Sequence, residues 1–164
     1  MNINNIIFRS EVLPEDVENV REIVTSTDFF YDFEIPIAVE LVEDALKYGS
    51  EKSGYYFLFA MVDGKTVAYT CYGPTTGSVG GFDLFWIATR NDMRGSGIGS
   101  VIVEETHKKI VEMGGRFVIA ETSSMEKYKP TRKFYLKNHY VNEGEIRDFY
   151  KPGDGKVFFV RRFS

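Results

Sequence analysis

"WIATRNDMRGSGIGSVIVEETHKKI", residues 86–110, sets a glycine-rich, arginine-bearing loop between two apolar runs and decides the fold. Strand-forming residues lead in. A helical pattern leads out, because Ile98, Val101, Ile102 and Ile110, with Met113 just beyond, gather on one side of a helix predicted over residues 97–113. Between them lies Arg94-Gly95-Ser96-Gly97-Ile98-Gly99. A strand, a loop of small residues and a helix N-terminus aim backbone N–H groups and the positive end of the helix dipole at one spot, which suits an anion. The plain alternative is a tight turn that needs glycine for positive φ. A G-x-x-x-x-G-K-[ST] phosphate loop fails because no lysine follows these glycines at the required place. A G-x-G-x-x-G fingerprint is a weak match, because Ser100 stands where its third glycine belongs and the loop follows a meander late in the chain.

Working outward, residues 6–12 carry the β-branched and aromatic residues of a first strand. Pro14 and Glu15 then open a helix with Val17, Val20, Ile23 and Val24 on one face. Residues 28–34 mix aromatic rings with carboxylates and show no period. Residues 36–48 read as a second helix ending at Gly49. Runs at 55–62 and 66–72 flank Asp63-Gly64, a strong hairpin signal, and residues 82–89 complete a three-strand meander. After the long helix, Gly114-Gly115 precedes a strand at 116–122. A short helix at 131–137 and two terminal strands at 140–149 and 157–163 follow, the last two joined through Pro152-Gly153-Asp154-Gly155. The strand-helix-strand unit over 82–122 predicts a parallel pair in an otherwise mostly antiparallel sheet. The expected architecture is α/β: a mixed central sheet of about seven strands flanked by about four helices, as a single domain over residues 1–164.

A formal net charge of -4 argues against a nucleic-acid partner and mildly favours a cationic substrate. The one cysteine, Cys71, cannot form an internal disulfide or a metal cluster. It reads as a small buried residue of a protein kept in a reducing compartment. No stretch approaches the roughly 18 apolar residues of a membrane span, and the N-terminus lacks a secretory pattern. A cytoplasmic protein without a membrane partner is expected.

The order of elements and the run Arg94-Gly95-Ser96-Gly97-Ile98-Gly99 resemble the GNAT superfamily of acyl-CoA-dependent N-acetyltransferases, whose signature is [QR]-x-x-G-x-[GA]. "FDLFWIATR" resembles the family's fourth strand, "FVIAETSS" its fifth, and "RKFYLKNHY" the helix that carries a Phe-Tyr pair. The resemblance implies acetyl-CoA as co-substrate and requires no metal. It implies that the pyrophosphate is cradled by Arg94, Gly95, Ser96, Gly97, Ile98, Gly99 and Ser100, and that the backbone of Trp86, Ile87 and Ala88 pairs with the pantetheine arm. A surface cation is the other reading of Arg94.

Attack of an amine on a thioester requires a neutral amine, a polarised carbonyl and a protonated leaving thiol. Glu121 resembles the base of several relatives; it reads equally as a strand-end carboxylate. An N–H near Ile87 is the one-donor oxyanion site. Tyr135 stands where many members carry the tyrosine that protonates the sulfur, against the alternative of ring packing. Phe134 reads as core. His107 and His139 have no serine or cysteine partner in the sequence, so no nucleophile is assigned.

Two departures bear on local geometry. Tyr128 replaces an asparagine seven residues before the tyrosine, and His139 replaces a glycine after the helix, which leaves Asn138 as the residue expected to take the left-handed turn. For the acceptor, Phe29, Tyr31 and Asp32 in one segment and Asp148 and Tyr150 in another pair acids with rings, which suits an ammonium; surface acids beside core aromatics are the bland reading. A small amine or amino acid comes first and a peptide N-terminus second. A non-catalytic acyl-CoA-binding regulator on the same fold is the alternative class. Open sheet edges and the apolar C-terminal strand leave room for a homodimer.

Overall fold

The computed structural model of the protein describes residues 3–163. Seven strands form one mixed sheet: β1 Ile7–Arg9, β2 Tyr56–Val62, β3 Lys65–Pro74, β4 Gly81–Thr89, β5 Phe117–Ser123, β6 Val141–Lys151 and β7 Asp154–Arg162, in the order β1-β2-β3-β4-β5-β7-β6. The α-helices among the described residues are α1 Asp16–Ser26, α2 Glu34–Tyr48, α3 Ser50–Ser53, α4 Ile98–Glu112 and α5 Lys129–Lys137. The parallel pair is β4 with β5, in register from Gly81↔Phe117 to Asp83↔Ile119, while β1–β2, β2–β3, β5–β7 and β6–β7 are antiparallel. β7 lies inside the sheet. The apolar C-terminal strand is therefore no edge, and the edges are β1 and β6.

The chain forms two compact units, one running to Gly73 and including Phe85–Thr106, the other comprising Pro74–Leu84 and the residues from His107 onward. In the first, α1 contributes Val20, Ile23 and Val24 and α2 contributes Ala38, Val39, Val42 and Ala45. They pack on Phe57, Phe59, Tyr69, Cys71 and Ala88. Cys71 is fully buried, and burial pushes its thiol well up, so it behaves as a small apolar residue. Thr106 donates to the Ile102 carbonyl at 2.8 Å, so its contact with Thr70 at 2.7 Å leaves Thr70 as the donor, and both buried hydroxyls are satisfied. In the second unit Val118, Ala120, Val157 and Phe159 are buried, and Tyr135 of α5 stacks on Phe159 at 5.7 Å.

Tertiary contacts moved several boundaries. β1 stops at Arg9 because that guanidinium forks onto the fully buried Asp16 carboxylate (2.7 and 2.8 Å), which also accepts the Leu13 N–H at 2.7 Å. The chain turns into α1 there instead of extending to residue 12. α2 starts two residues before Pro36, and α5 one before Pro130. Each proline falls in a first turn, where its missing N–H loses no helical bond. β7 starts at Asp154 because that buried carboxylate accepts the Ser123 hydroxyl at 2.5 Å. Asn138 keeps φ at -95° and turns its side-chain amide to the Phe134 carbonyl at 2.9 Å; the left-handed position falls to His139, φ 71°, contrary to the sequence expectation. Gly73 is forced by close approach, since a Cβ there would lie 1.9 Å from the Gly54 carbonyl oxygen.

Candidate active site

The loop after β4 is built from its anchors. The Arg90 N–H bonds the Val67 carbonyl at 2.7 Å, Met93 is buried, and the Ser96 hydroxyl donates to the Met93 carbonyl at 2.5 Å. Ile98, 1 % exposed, fixes the first turn of α4. Between these points Gly95 and Gly97 take φ of 75° and 87°, and a Cβ built on either meets no atom within 4 Å. The loop is therefore open on its outer side. At the start of α4 the Ile98 N–H meets the Ser96 Oγ at 3.4 Å and the Val101 N–H the Gly97 carbonyl at 3.2 Å, and the helix dipole adds positive potential at this end. These residues fit a phosphate group. Arg94 is exposed, and one guanidinium N–H turns back to the Thr27 carbonyl at 2.6 Å, at the C-terminal end of α1. That ties the loop to α1 and suits the helix dipole.

Trp86 and Ala88 put their side chains into the core under α1 and α2, with Trp86 5.1 Å from Phe30. What this stretch of β4 offers a ligand is backbone, with Ile87 half-buried between them.

In the second unit, Glu121 of β5 forms an ion pair with Lys156 of β7 at 2.8 Å. The Lys156 Nζ also lies 4.2 Å from the ring centre of Phe149, 5.9 Å from Tyr150 and 5.8 Å from Phe158. Glu121 and Tyr150, assigned separately from sequence, are thus brought together through a lysine that sequence reasoning did not single out. Asp148 takes φ 56° and accepts the Gly153 N–H at 2.8 Å, so its carboxylate shapes the hairpin.

Asp83 is a second acid that sequence reasoning passed over. Burial, and the Glu121 carboxylate after it, push it above the usual 3.8, opposed by the 2.8 Å hydrogen bond from Thr75. A native carboxyl that holds its proton more tightly than the unfolded chain destabilises the fold once ionised. At pH above the carboxylate range Asp83→Asn is therefore expected to stabilise the fold by about 1 kcal/mol or less for a half-exposed group, seen as a higher melting temperature. The gain should vanish as pH falls through 3.8; melting curves across pH check both signs.

Tyr135 is buried against Phe134, Tyr140 and Phe159, and burial pushes its hydroxyl well above 10.0. Tyr140 in turn meets the His107 Nε2 at 2.7 Å, and Arg161 donates to His107 Nδ1. Since arginine only donates, His107 carries its proton on Nε2 and donates it to Tyr140. His107 is therefore structural. The turn into α5 is locked by Arg132, which donates to the Ser123 and Met125 carbonyls at 2.8 Å each. Tyr128 lies at the start of α5, half-buried, with Lys127 over its ring at 5.8 Å. Phe134 is half-buried.

The segment between α1 and α2 is aromatic as expected. Phe29 meets Phe30 edge-on at 5.4 Å, and Tyr31 stacks on Phe33 at 5.6 Å, with Tyr31, Asp32 and Phe33 exposed. Among the described residues no group of three or more His, Cys, Asp or Glu is placed to hold a metal ion, and no helix is long and apolar enough to cross a membrane.

The chain belongs to the GNAT family of acetyltransferases, whose family model matches residues 18–140. It is an acetyl-CoA-dependent acetyltransferase. A crystal structure from Desulfovibrio desulfuricans assigned to the same family is 39% identical, with a TM-score of 0.93 over 96% of this chain and 98% of that one. An aminoglycoside 6'-N-acetyltransferase complexed with coenzyme A shares the fold at 15% identity, TM-score 0.74, over 95% and 96% of the two chains. So does the Escherichia coli ribosomal-protein-S18-alanine N-acetyltransferase, at 13% identity and TM-score 0.75 over 97% and 94%. No curated protein matches the sequence.

Proposed function

We propose that this acetyltransferase moves the acetyl group to the primary amine of a small cationic acceptor, an amine or amino acid, by direct attack with both substrates bound. The observation that carries the reading is the open-sided loop at the head of α4, with Gly95 and Gly97 at positive φ and clear space above both. Backbone N–H groups of residues 94–100 would hold the pyrophosphate, the backbone at 86–88 the pantetheine arm, and Tyr128 would stand in for the family's asparagine contact. Acetyl-CoA, when bound, supplies an acetyl carbon activated as a thioester.

The chain's own residues then have three tasks. An alkylammonium has a pKa near 10.4, so Glu121 accepts its proton, directly or through a water. The Ile87 N–H donates to the carbonyl oxygen. Tyr135, kept protonated by burial, holds a proton at Oη for the departing sulfur. Orientation of two bound reactants supplies the remaining advantage, and no covalent enzyme intermediate is needed. The same reading has the protein work in the cytoplasm as one domain over residues 1–164. It includes a homodimer, for which β6, exposed along its length, is the sheet edge on that side.

The test is acetyl-CoA-dependent thiol release against amino acids, polyamines, aminosugars and short peptides, with acetyl-CoA binding followed by thermal shift. Turnover confined to small cationic amines is the expected result. Turnover of peptides alone would move the acceptor to a peptide N-terminus, binding with no turnover would point to a regulator, and absence of binding would remove the loop's role.

A further inference from the structure

Lys156 is surrounded as an ammonium ligand would be. Its Nζ has the Glu121 carboxylate at 2.8 Å and the Phe149 ring centre at 4.2 Å, with Tyr150 and Phe158 at 5.9 and 5.8 Å. One carboxylate and a set of aromatic faces is the arrangement that recognises alkylammonium groups. An ordinary surface ion pair needs no such rings and gains little from forming. Phe149 and Tyr150 stay 48% and 49% exposed, so core burial is not what holds them there. Their position follows from an irregular stretch of β6. The register with β7 breaks between Ile146 and Lys151, Asp148 takes φ 56°, and its carboxylate is pinned to the Gly153 N–H. Bulged edges of this kind re-aim side chains. Phe158 is fixed independently, directly across from Glu121 in the β5–β7 ladder. Asp83, close enough for its charge to be felt with that of Glu121, brings a second carboxylate to the neighbourhood of one lysine.

We propose that Glu121, Phe149, Tyr150 and Phe158 form an ammonium subsite of the acceptor site, held at rest by Lys156, which an incoming alkylammonium displaces. The inference rests on the reading of Glu121 as facing the acceptor. A lysine head group and a primary alkylammonium are the same chemical group, so the exchange conserves charge, hydrogen bonds to the carboxylate and contact with the rings. The released Lys156 head group goes to water, where the flexible lysine stem lets it reach. The device selects for cations, since a neutral amine offers nothing to offset the loss of the Lys156 pair. It also sets the affinity of the site, because every acceptor competes with a tethered one.

The full-length protein would be titrated with n-butylammonium chloride and with 1-butanol, its neutral analogue, in the wild type, Lys156→Met, Lys156→Gln, Lys156→Arg and Lys156→Met/Phe149→Ala. Lys156→Met and Lys156→Gln are expected to bind butylammonium about 10-fold more tightly than the wild type, the scale of one desolvated cation–π and ion-pair contact. Lys156→Arg should bind as the wild type does, the added Phe149→Ala should abolish the gain, and butanol should gain nothing. Equal butylammonium affinity in the wild type and both neutral variants, no binding in any variant, or a parallel gain for butanol would overturn the proposal. Acetyl-CoA binding, measured on each variant by thermal shift, keeps a failure of the subsite distinct from a failure of the acetyltransferase reading: the first leaves that binding intact.

Discussion

Tyr135→Phe is expected to lower kcat by about 10²-fold, the usual worth of a positioned proton donor, while the KM for acetyl-CoA stays within about threefold. The split follows from what the substitution removes. The ring stays, so its stack on Phe159 and its contact with Tyr140 survive, and only the hydroxyl is lost. Burial raises the tyrosine pKa, so the wild-type hydroxyl carries its proton throughout the working range and contributes no alkaline limb to kcat there. Steady-state rates with any acceptor found in the panel, together with the melting temperature of the variant, decide the matter. A fall in kcat without a fall in stability assigns the hydroxyl to the chemistry; parallel loss of both would make Tyr135 a packing residue.

Gly97→Asp is expected to weaken acetyl-CoA binding by about 10²-fold, from a carboxylate set a few ångströms from where phosphate oxygens would lie. The backbone permits the test. Asp and Asn tolerate positive φ better than other side chains, and no atom lies within 4 Å of the new Cβ. A carboxylate just before α4 suits its dipole and offsets part of the strain of a side chain at φ 87°, so the melting temperature should fall only modestly while affinity collapses. Gly97→Asn adds the same bulk without the charge and separates the two causes. An Asn variant as damaged as Asp would trace the effect to crowding, and an Asp variant that binds normally would take the phosphate away from this loop.

How much of this was legible in the sequence depends on the range of the interaction. The α4 helix and the β4–β5 parallel pair were readable because a helical period, a glycine-rich break and an apolar strand all act within a few residues of one another. Boundaries set by distant partners were not: nothing near Arg9 announces that Asp16 will stop β1, and nothing near Asp154 announces Ser123. The one-turn α3 is too short to show a period. At the site, Tyr135 and the loop came from a family signature, whereas Lys156 was invisible because its partners come from β5, β6 and β7. Asp83 drew no reading of its own from the sequence, and its burial beside Thr75 and Glu121 is what sets it apart.

Gly73 has a consequence for any mutational survey of this enzyme. Its missing Cβ is the space through which the Gly54 carbonyl passes, so every replacement must push apart two segments of main chain. Scored by activity alone, a saturation library would return Gly73 and Gly97 as equally intolerant, one through loss of folded molecules and the other, on the proposed reading of the loop, through loss of acetyl-CoA binding beyond the moderate strain of a side chain at positive φ. Counting the soluble, folded fraction of each library member alongside its turnover would sort the two. Only the second kind of intolerance marks where the substrate lies.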